Sequence, residues 1–315
     1  MTSRIAYNNP DTKGALGLAY HYEMLADQRR LEPMRRAIQL VARGKRVLES
    51  GAGSGVLSLL AARAGARRVY AVERDPAIVR FLRRNVENTR CRDAIRVLEK
   101  DTRDLTLDDI DGQPVDVIIS EHLSTWQVTE PQTSVMNYVN RHLVGESTVW
   151  IPECAFNRVE LATSQFRFED IVELRVHYFG FSGIIQPDIL SEPTLFQKVD
   201  FRRVNETVID HSVEVVATRN GVVNSLRLTS PLQVLEDIYF RSSDSLMPPV
   251  IVPLKRDLEV IAGDVVLVRF RYQCETIWNR VYCEAIALTR KHVMVQVHDL
   301  AAVEALMEST DLQRR

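Results

Sequence analysis

Cysteine is scarce, long apolar runs are missing, and neither sign of charge dominates this chain of 315 residues. Its four cysteines, Cys91, Cys154, Cys274 and Cys283, are dispersed and form no C-x-x-C pair. That spacing argues against zinc and dithiol motifs, and no metal is expected; idle thiols in a reducing compartment fit better. No apolar run approaches the ~20 residues that span a bilayer, and the first residues lack the basic-then-apolar pattern of a secretory leader. The expectation is a cytoplasmic protein with no membrane partner. Basic residues number 40 and acidic ones 42, for a net charge of -2. No chain-wide basic field therefore points to nucleic acid as a partner, although Arg29, Arg30, Arg35 and Arg36 form a local basic cluster.

What is present is ordinary globular composition, 45% hydrophobic and 26% charged, over a length that favours two packed units. The first 16 residues read as a polar, loose start. Leu18 to Val41 reads as helix interrupted at Pro33. Apolar strand-like runs follow at Arg46–Glu49, Val69–Glu73 and Val115–Ser120, with a weaker one at Ile95–Leu98. Helical patterns at Val56–Ala64 and Pro76–Thr89 separate the early runs, so the alternation predicts a parallel α/β sheet. After Trp150 the character changes. Strand candidates Phe156–Ala162, Val213–Ala217, Leu226–Leu228, Val265–Tyr272 and Tyr282–Leu288 follow one another, punctuated by Asn220-Gly221 and Gly263-Asp264. They predict an antiparallel β unit. Between Glu169 and Glu192 lies an irregular stretch with Tyr178, Phe179, Phe181 and Pro187. It reads as a loop packed on its own domain or as an arm reaching a second subunit.

Val47-Leu48-Glu49-Ser50-Gly51-Ala52-Gly53-Ser54-Gly55 runs an apolar strand into three alternating glycines. Glycine lets the backbone turn tightly and a ligand approach the amides. Glu73, at the end of the next strand, is spaced to hold ribose hydroxyls. A dinucleotide fingerprint needs its third glycine where Val56 stands, which disfavours NAD and suits a nucleoside cofactor without a pyrophosphate, such as S-adenosyl-L-methionine. Asp101, or its neighbour Thr102, is placed to accept from an adenine amino group.

Glu121 follows a buried strand at the end where ligands of parallel sheets bind, and Glu130 comes nine residues later. Two converging carboxylates repel and are costly to desolvate unless a cation joins them. A guanidinium is such a cation, planar and able to donate bidentate bonds. Methyl transfer from a sulfonium needs a nucleophile with a free lone pair, and a guanidinium's are delocalised. One carboxylate could hold it while the other draws charge to one side, leaving the remaining nitrogen more nucleophilic. His122 reads as a base or a solvated loop histidine, and Trp126 as a pocket wall or a packing residue.

These residues, with Tyr20-His21-Tyr22-Glu23-Met24-Leu25-Ala26-Asp27-Gln28-Arg29-Arg30, resemble the protein arginine N-methyltransferase family. The resemblance implies a helical segment over residues 1–40 that covers the cofactor and a Rossmann-like domain over 41–150. A β-barrel over 151–315 would follow, with a dimerisation arm at about 169–192. It implies that Arg30 pairs with the cofactor carboxylate, that Met24 lines the site beside the methyl, and that Glu49, Gly51, Gly53, Gly55 and Glu73 complete the cofactor site with Asp101 and Thr102. Glu121 and Glu130 would grip the guanidinium, with Tyr20, His122, Trp126 and Gln132 around the substrate. The implied partners are an arginine-containing protein or peptide, or an arginine-like small molecule, and a second copy of the chain in a homodimer.

Three departures stand out. The family reads S-E-W-M-G-Y where this chain has Ser120-Glu121-His122-Leu123-Ser124-Thr125. Gln132 stands where a methionine is expected. Ser245-Leu246-Met247 replaces a Thr-His-Trp loop whose histidine pairs with the acid matching Asp27. Two other readings follow: a methyltransferase of a small-molecule amine or hydroxyl in a biosynthetic pathway, and a catalytically silent cofactor-binding assembly partner.

Overall fold

The computed structural model describes residues 18–288; the polar start and the positions after Leu288 lie outside the described residues. Two helices lead in, α1 (Leu18–Ala26) and α2 (Gln28–Val41). The break falls at Asp27, not at Pro33. Asp27 has extended backbone, and its carboxylate accepts from the amides of Arg29 and Arg30, capping α2. Pro33 lies inside α2, where its ring removes one backbone hydrogen bond without ending the helix.

The alternation predicted from the apolar runs is present: β1 (Arg46–Ser50), α3 (Val56–Arg63), β2 (Arg68–Glu73), α4 (Pro76–Glu87), β3 (Ile95–Glu99) and β4 (Val115–Ser120). Helix α5 (Gln132–His142) and strand β5 (Val144–Ile151) complete it; neither was read from the sequence. The strands form a parallel sheet in the order β3-β2-β1-β4-β5. The chain therefore builds outward one way through β3 and returns to the other side of β1 with β4. Such a reversal opens a crevice beyond the carboxyl ends of the two central strands. Gly51 leaves β1 and Glu121 leaves β4 at that point, with Ser50 and Ser120 as the last paired positions.

The remainder is antiparallel. Strand Cys154–Thr163 pairs with Gly221–Thr229, which pairs with Val250–Val260. A second sheet joins Val208–Val216, Val265–Gln273 and Tyr282–Leu288. Together they curl into a half-barrel, so the fold is mixed α/β with a Rossmann-like sheet ahead of an antiparallel one. Among the described residues no helix is long and apolar enough to cross a membrane.

The structure locates the aromatics of the 169–192 stretch, and it corrects the reading of Trp126 as a pocket wall. Tyr178 and Phe179 pair with Ile251 and Val250, and Phe179 and Phe181 are buried in the barrel cluster. Those aromatics pack on their own domain. Apolar exposure lies earlier, at the hairpin of Arg167–Phe168 with Val172–Glu173, where Ile171 is 84% exposed. Trp126 is no pocket wall. It is fully buried in the barrel core, stacked on Phe196 with ring centroids 4.5 Å apart and edge-on to Phe270 at 4.4 Å. Its indole N–H donates to the carbonyls of Arg158 and Thr229, both at 3.2 Å, and its carbonyl accepts from the Tyr272 hydroxyl at 3.1 Å. Held at a positive φ of 58°, this residue pins the loop between β4 and α5 to the barrel.

Trp126→Ala should lower the unfolding free energy by about 3–5 kcal/mol, as for other buried aromatic deletions. Urea unfolding checks it; a loss within error would mean that the tryptophan does not anchor the two units.

Candidate active site

The crevice at the sheet reversal is a cavity of about 1040 Å³. Gly51, at φ 69°, begins its floor; a Cβ there would lie 2.0 Å from the His122 ring. Gly55, at φ 88°, opens α3, and a Cβ would meet Leu82 at 2.5 Å. Side chains are excluded from both by backbone conformation and by space. The Gly53 amide donates to one Glu73 oxygen at 2.9 Å, while the other accepts from the amides of Arg74 at 2.8 Å and Asp75 at 2.9 Å. The carboxylate is thus fixed beside the turn and half-exposed to the cavity. Thr102 is buried and hydrogen-bonded to the Ser50 hydroxyl at 2.8 Å. Asp101 lines the cavity, but Arg103 and Arg74 already donate to it, at 2.8 and 3.3 Å. The Arg103 hydrogen bonds hold its carboxyl well below the usual carboxylate range.

Deeper in, Arg30 is 7% exposed; it donates to the Met24 carbonyl at 2.9 Å and pairs with the Glu121 carboxylate. Two residues expected to meet different ligands thus meet each other. Glu49 is buried next to them and accepts from the Ser58 hydroxyl. Burial lifts its carboxyl to about 8. Tyr20 and Met24, on α1, also face the cavity. The Tyr20 hydroxyl donates to the Ser245 carbonyl at 3.3 Å.

The pairing of Asp27 with the barrel survives the loss of the histidine. Ser245 donates its hydroxyl to Asp27 at 2.6 Å. Burial works against the Asp27 carboxylate, yet hydrogen bonds from Ser243, Ser245 and two amides hold it below its ordinary range. A serine donor replaces the ring, so the barrel still clasps the helix junction.

Glu130 lines the same cavity as Glu121, and no hydrogen bond or ion pair to its carboxylate is present among the described residues. Burial pushes it up to about 7. The Ser124 hydroxyl accepts from the amides of Thr129 at 3.0 Å and Glu130 at 3.1 Å, shaping the loop from within. His122 is no solvated histidine. Its Nε2 lies 2.8 Å from Ser50 Oγ, and burial lowers it to about 4, so it is neutral at physiological pH. Gln132 was expected beside the substrate; it is fully buried and bonds the backbone on both sides of Glu121 instead.

Some cavity residues escaped the sequence reading. His21 sits over Gly53, at 3.1 Å from the site of its Cβ; its place inside the α1 motif was the available signal. Arg103, beside Asp101, reaches Glu275 of the barrel at 3.4 Å. His177, Trp278 and Arg280 close the barrel side, and nothing in their local pattern marked them. Among the described residues no cluster of His, Cys, Asp and Glu is arranged to hold a metal ion.

The cavity suits a nucleoside carrying a carboxylate. It has a glycine turn, a fixed acid one strand over, and a buried guanidinium at the far end. Residues 23–164 match the family model of the TRM5/TYW2 methyltransferase domain. An uncharacterised protein of Methanocaldococcus jannaschii is 26% identical over 76% of this chain and 87% of its own. An arginine N(omega)-methyltransferase of Streptomyces achromogenes subsp. streptozoticus is 31% identical over 43% of this chain and 38% of its own length. The Trypanosoma brucei PRMT1 enzyme-prozyme heterotetrameric complex with AdoHcy superposes with a TM-score of 0.70 at 19% identity. That match covers 89% of this chain and all of that one. Over residues 23–164 the chain is similar to a methyltransferase domain, its fold is that of the protein arginine N-methyltransferase structures, and the likeness implies S-adenosylmethionine as cofactor.

The raised Glu49 carboxyl has a consequence for stability. Its folded value, about 8, exceeds the ordinary 4.5, so the folded chain holds this proton more tightly. The associated stability is complete below the unfolded value and is lost as pH rises toward the folded one. Ligand-free Glu49→Gln should therefore gain in melting temperature relative to the parent between pH 5 and 8. A difference that stays flat with pH would show that Glu49 is ionised throughout.

Proposed function

We infer that this S-adenosylmethionine-dependent methyltransferase, similar to the protein arginine N-methyltransferases, methylates a guanidino nitrogen of arginine or of an arginine-like substrate. The observation that carries the reading is Glu130: a carboxylate without a cationic partner among the described residues, facing the cavity into which Glu121 also projects. A protonated amine or guanidinium answers that arrangement with positive charge, which a neutral hydroxyl does not bring.

Bound S-adenosylmethionine supplies an electrophilic methyl carbon. Glu73 would hold the ribose, Asp101 and Thr102 the adenine side, and Arg30 the carboxylate, with Glu49, Met24 and the Gly51–Gly55 turn completing the bed. Glu121 and Glu130 orient the acceptor from two sides and draw its positive charge toward their oxygens. That leaves density on the nitrogen directed away from them. Tyr20 and His122 flank this end of the cavity. A neutral His122 adds no repulsion to an incoming cation.

The relative that acts as an arginine N(omega)-methyltransferase supports an arginine-type acceptor, whether free or within a peptide. The altered His122–Thr125 loop favours the narrower alternative, a small-molecule amine. A second copy of the chain is the proposed partner at the exposed apolar hairpin around Ile171, and the cytoplasm is the proposed setting.

Replacing Glu130 or Glu121 by Gln should lower turnover about 100-fold or more, and Glu130→Gln, which leaves the Arg30–Glu121 pair in place, should keep S-adenosylhomocysteine affinity nearly intact. Isotope-labelled cofactor offered with free arginine, an arginine-rich peptide and a simple amine reads the acceptor class. Wild-type turnover in either glutamine variant would sink the two-carboxylate clamp.

A further inference from the structure

The loop bearing both glutamates is held by Ser124 near Glu130 and by Trp126 on the barrel, and a different side chain holds it at Glu121. Strand β4 loses its neighbour on the β5 side after the Ile119–Ile151 rung. Pro152, next along, has no N–H to extend the ladder. Past that rung, among the described residues, the Gln132 side chain meets the backbone on either side of Glu121. The Gln132 carboxamide oxygen accepts from the Ser120 hydroxyl at 3.1 Å and from the His122 amide at 3.0 Å. Its NH2 donates to the Ser120 carbonyl at 3.2 Å. These bonds bracket Glu121 on both sides.

Gln132 is also the first residue of α5 and stands two positions after Glu130. It is fully buried and does not face the cavity. We propose that Gln132 is the positioning residue that sets the separation of the Glu121 and Glu130 carboxylates. One end of the loop leaves the sheet and the other enters a helix, and this carboxamide joins them. The task needs a donor and two acceptor lone pairs in one planar group. A thioether or alkyl chain of similar volume keeps the packing and removes all three bonds, leaving the Ser120 carbonyl and His122 amide unsatisfied. A carboxylate matches the pattern only when protonated, since ionised it cannot donate to the Ser120 carbonyl.

The kinetic arm rests on the guanidino reading, and the structural arm does not. In amide hydrogen exchange on the full chain, Gln132→Met should speed exchange at the His122 amide about tenfold or more, with α5 protection unchanged. Protection at His122 equal to the parent would overturn the proposal whatever the enzyme's substrate. With a guanidino acceptor, the same variant should lose kcat about 30-fold or more while S-adenosylhomocysteine affinity stays within about threefold. Gln132→Glu should recover activity relative to the parent at the same pH as pH falls, because Glu130 titrates alike in both. Parent-like kcat in Gln132→Met, or parallel loss of cofactor affinity, would also overturn the proposal. A parent enzyme that methylates no guanidino compound would instead refute the proposed function, and His122 exchange would still judge Gln132.

Discussion

Carboxylates brought together out of water demand positive charge, and the cavity at the sheet reversal is organised around that demand. Glu49, Glu121 and Glu130 gather there, and of the buried arginines among the described residues Arg30 faces them while Arg46 sits at the opposite end of β1. Arg30 answers Glu121. Burial raises the other two, Glu49 to about 8 and Glu130 to about 7. A cofactor that brings an ammonium and a sulfonium, and an acceptor that brings a guanidinium, carry the charge this geometry favours. On the proposed function, recognition of both ligands rests on one electrostatic condition.

The scaffold that holds those charges is assembled from both units. The reversal of strand order between β1 and β4 opens the crevice, and the glycine turn and Glu73 shape one side of it. The loop between β4 and α5 is held by Ser124 from within, by Gln132 from the helix and by Trp126 from the barrel. The barrel returns a second fastening through Ser245 to Asp27, at the junction of α1 and α2. Each fastening is a hydrogen bond or a ring contact between segments far apart in the chain.

The parallel sheet was legible because its strands are short apolar runs bounded by turn residues, and the turn after β1 because glycine adopts left-handed backbone angles without steric cost. Glu73, Glu121 and Glu130 could be placed from strand ends and spacing. The barrel side of the cavity could not. His177 and Trp278 reach it only through long-range antiparallel pairing, which local periodicity does not encode. Trp126 and Gln132 were placed near substrate by their neighbourhood in the chain. A positive φ turns Trp126 into the barrel, and Gln132 turns back toward β4. Ser245 kept the Asp27 contact through different chemistry, a substitution visible only once the hydroxyl is located.

The most direct test of the two-carboxylate account is a crystal structure with S-adenosylhomocysteine and arginine amide bound together. The account predicts the guanidinium between Glu121 and Glu130, within roughly 3 Å of an oxygen of each, with one terminal nitrogen turned toward the sulfur. A guanidinium bound elsewhere, or the two carboxylates directed apart around an occupied cofactor site, would contradict it.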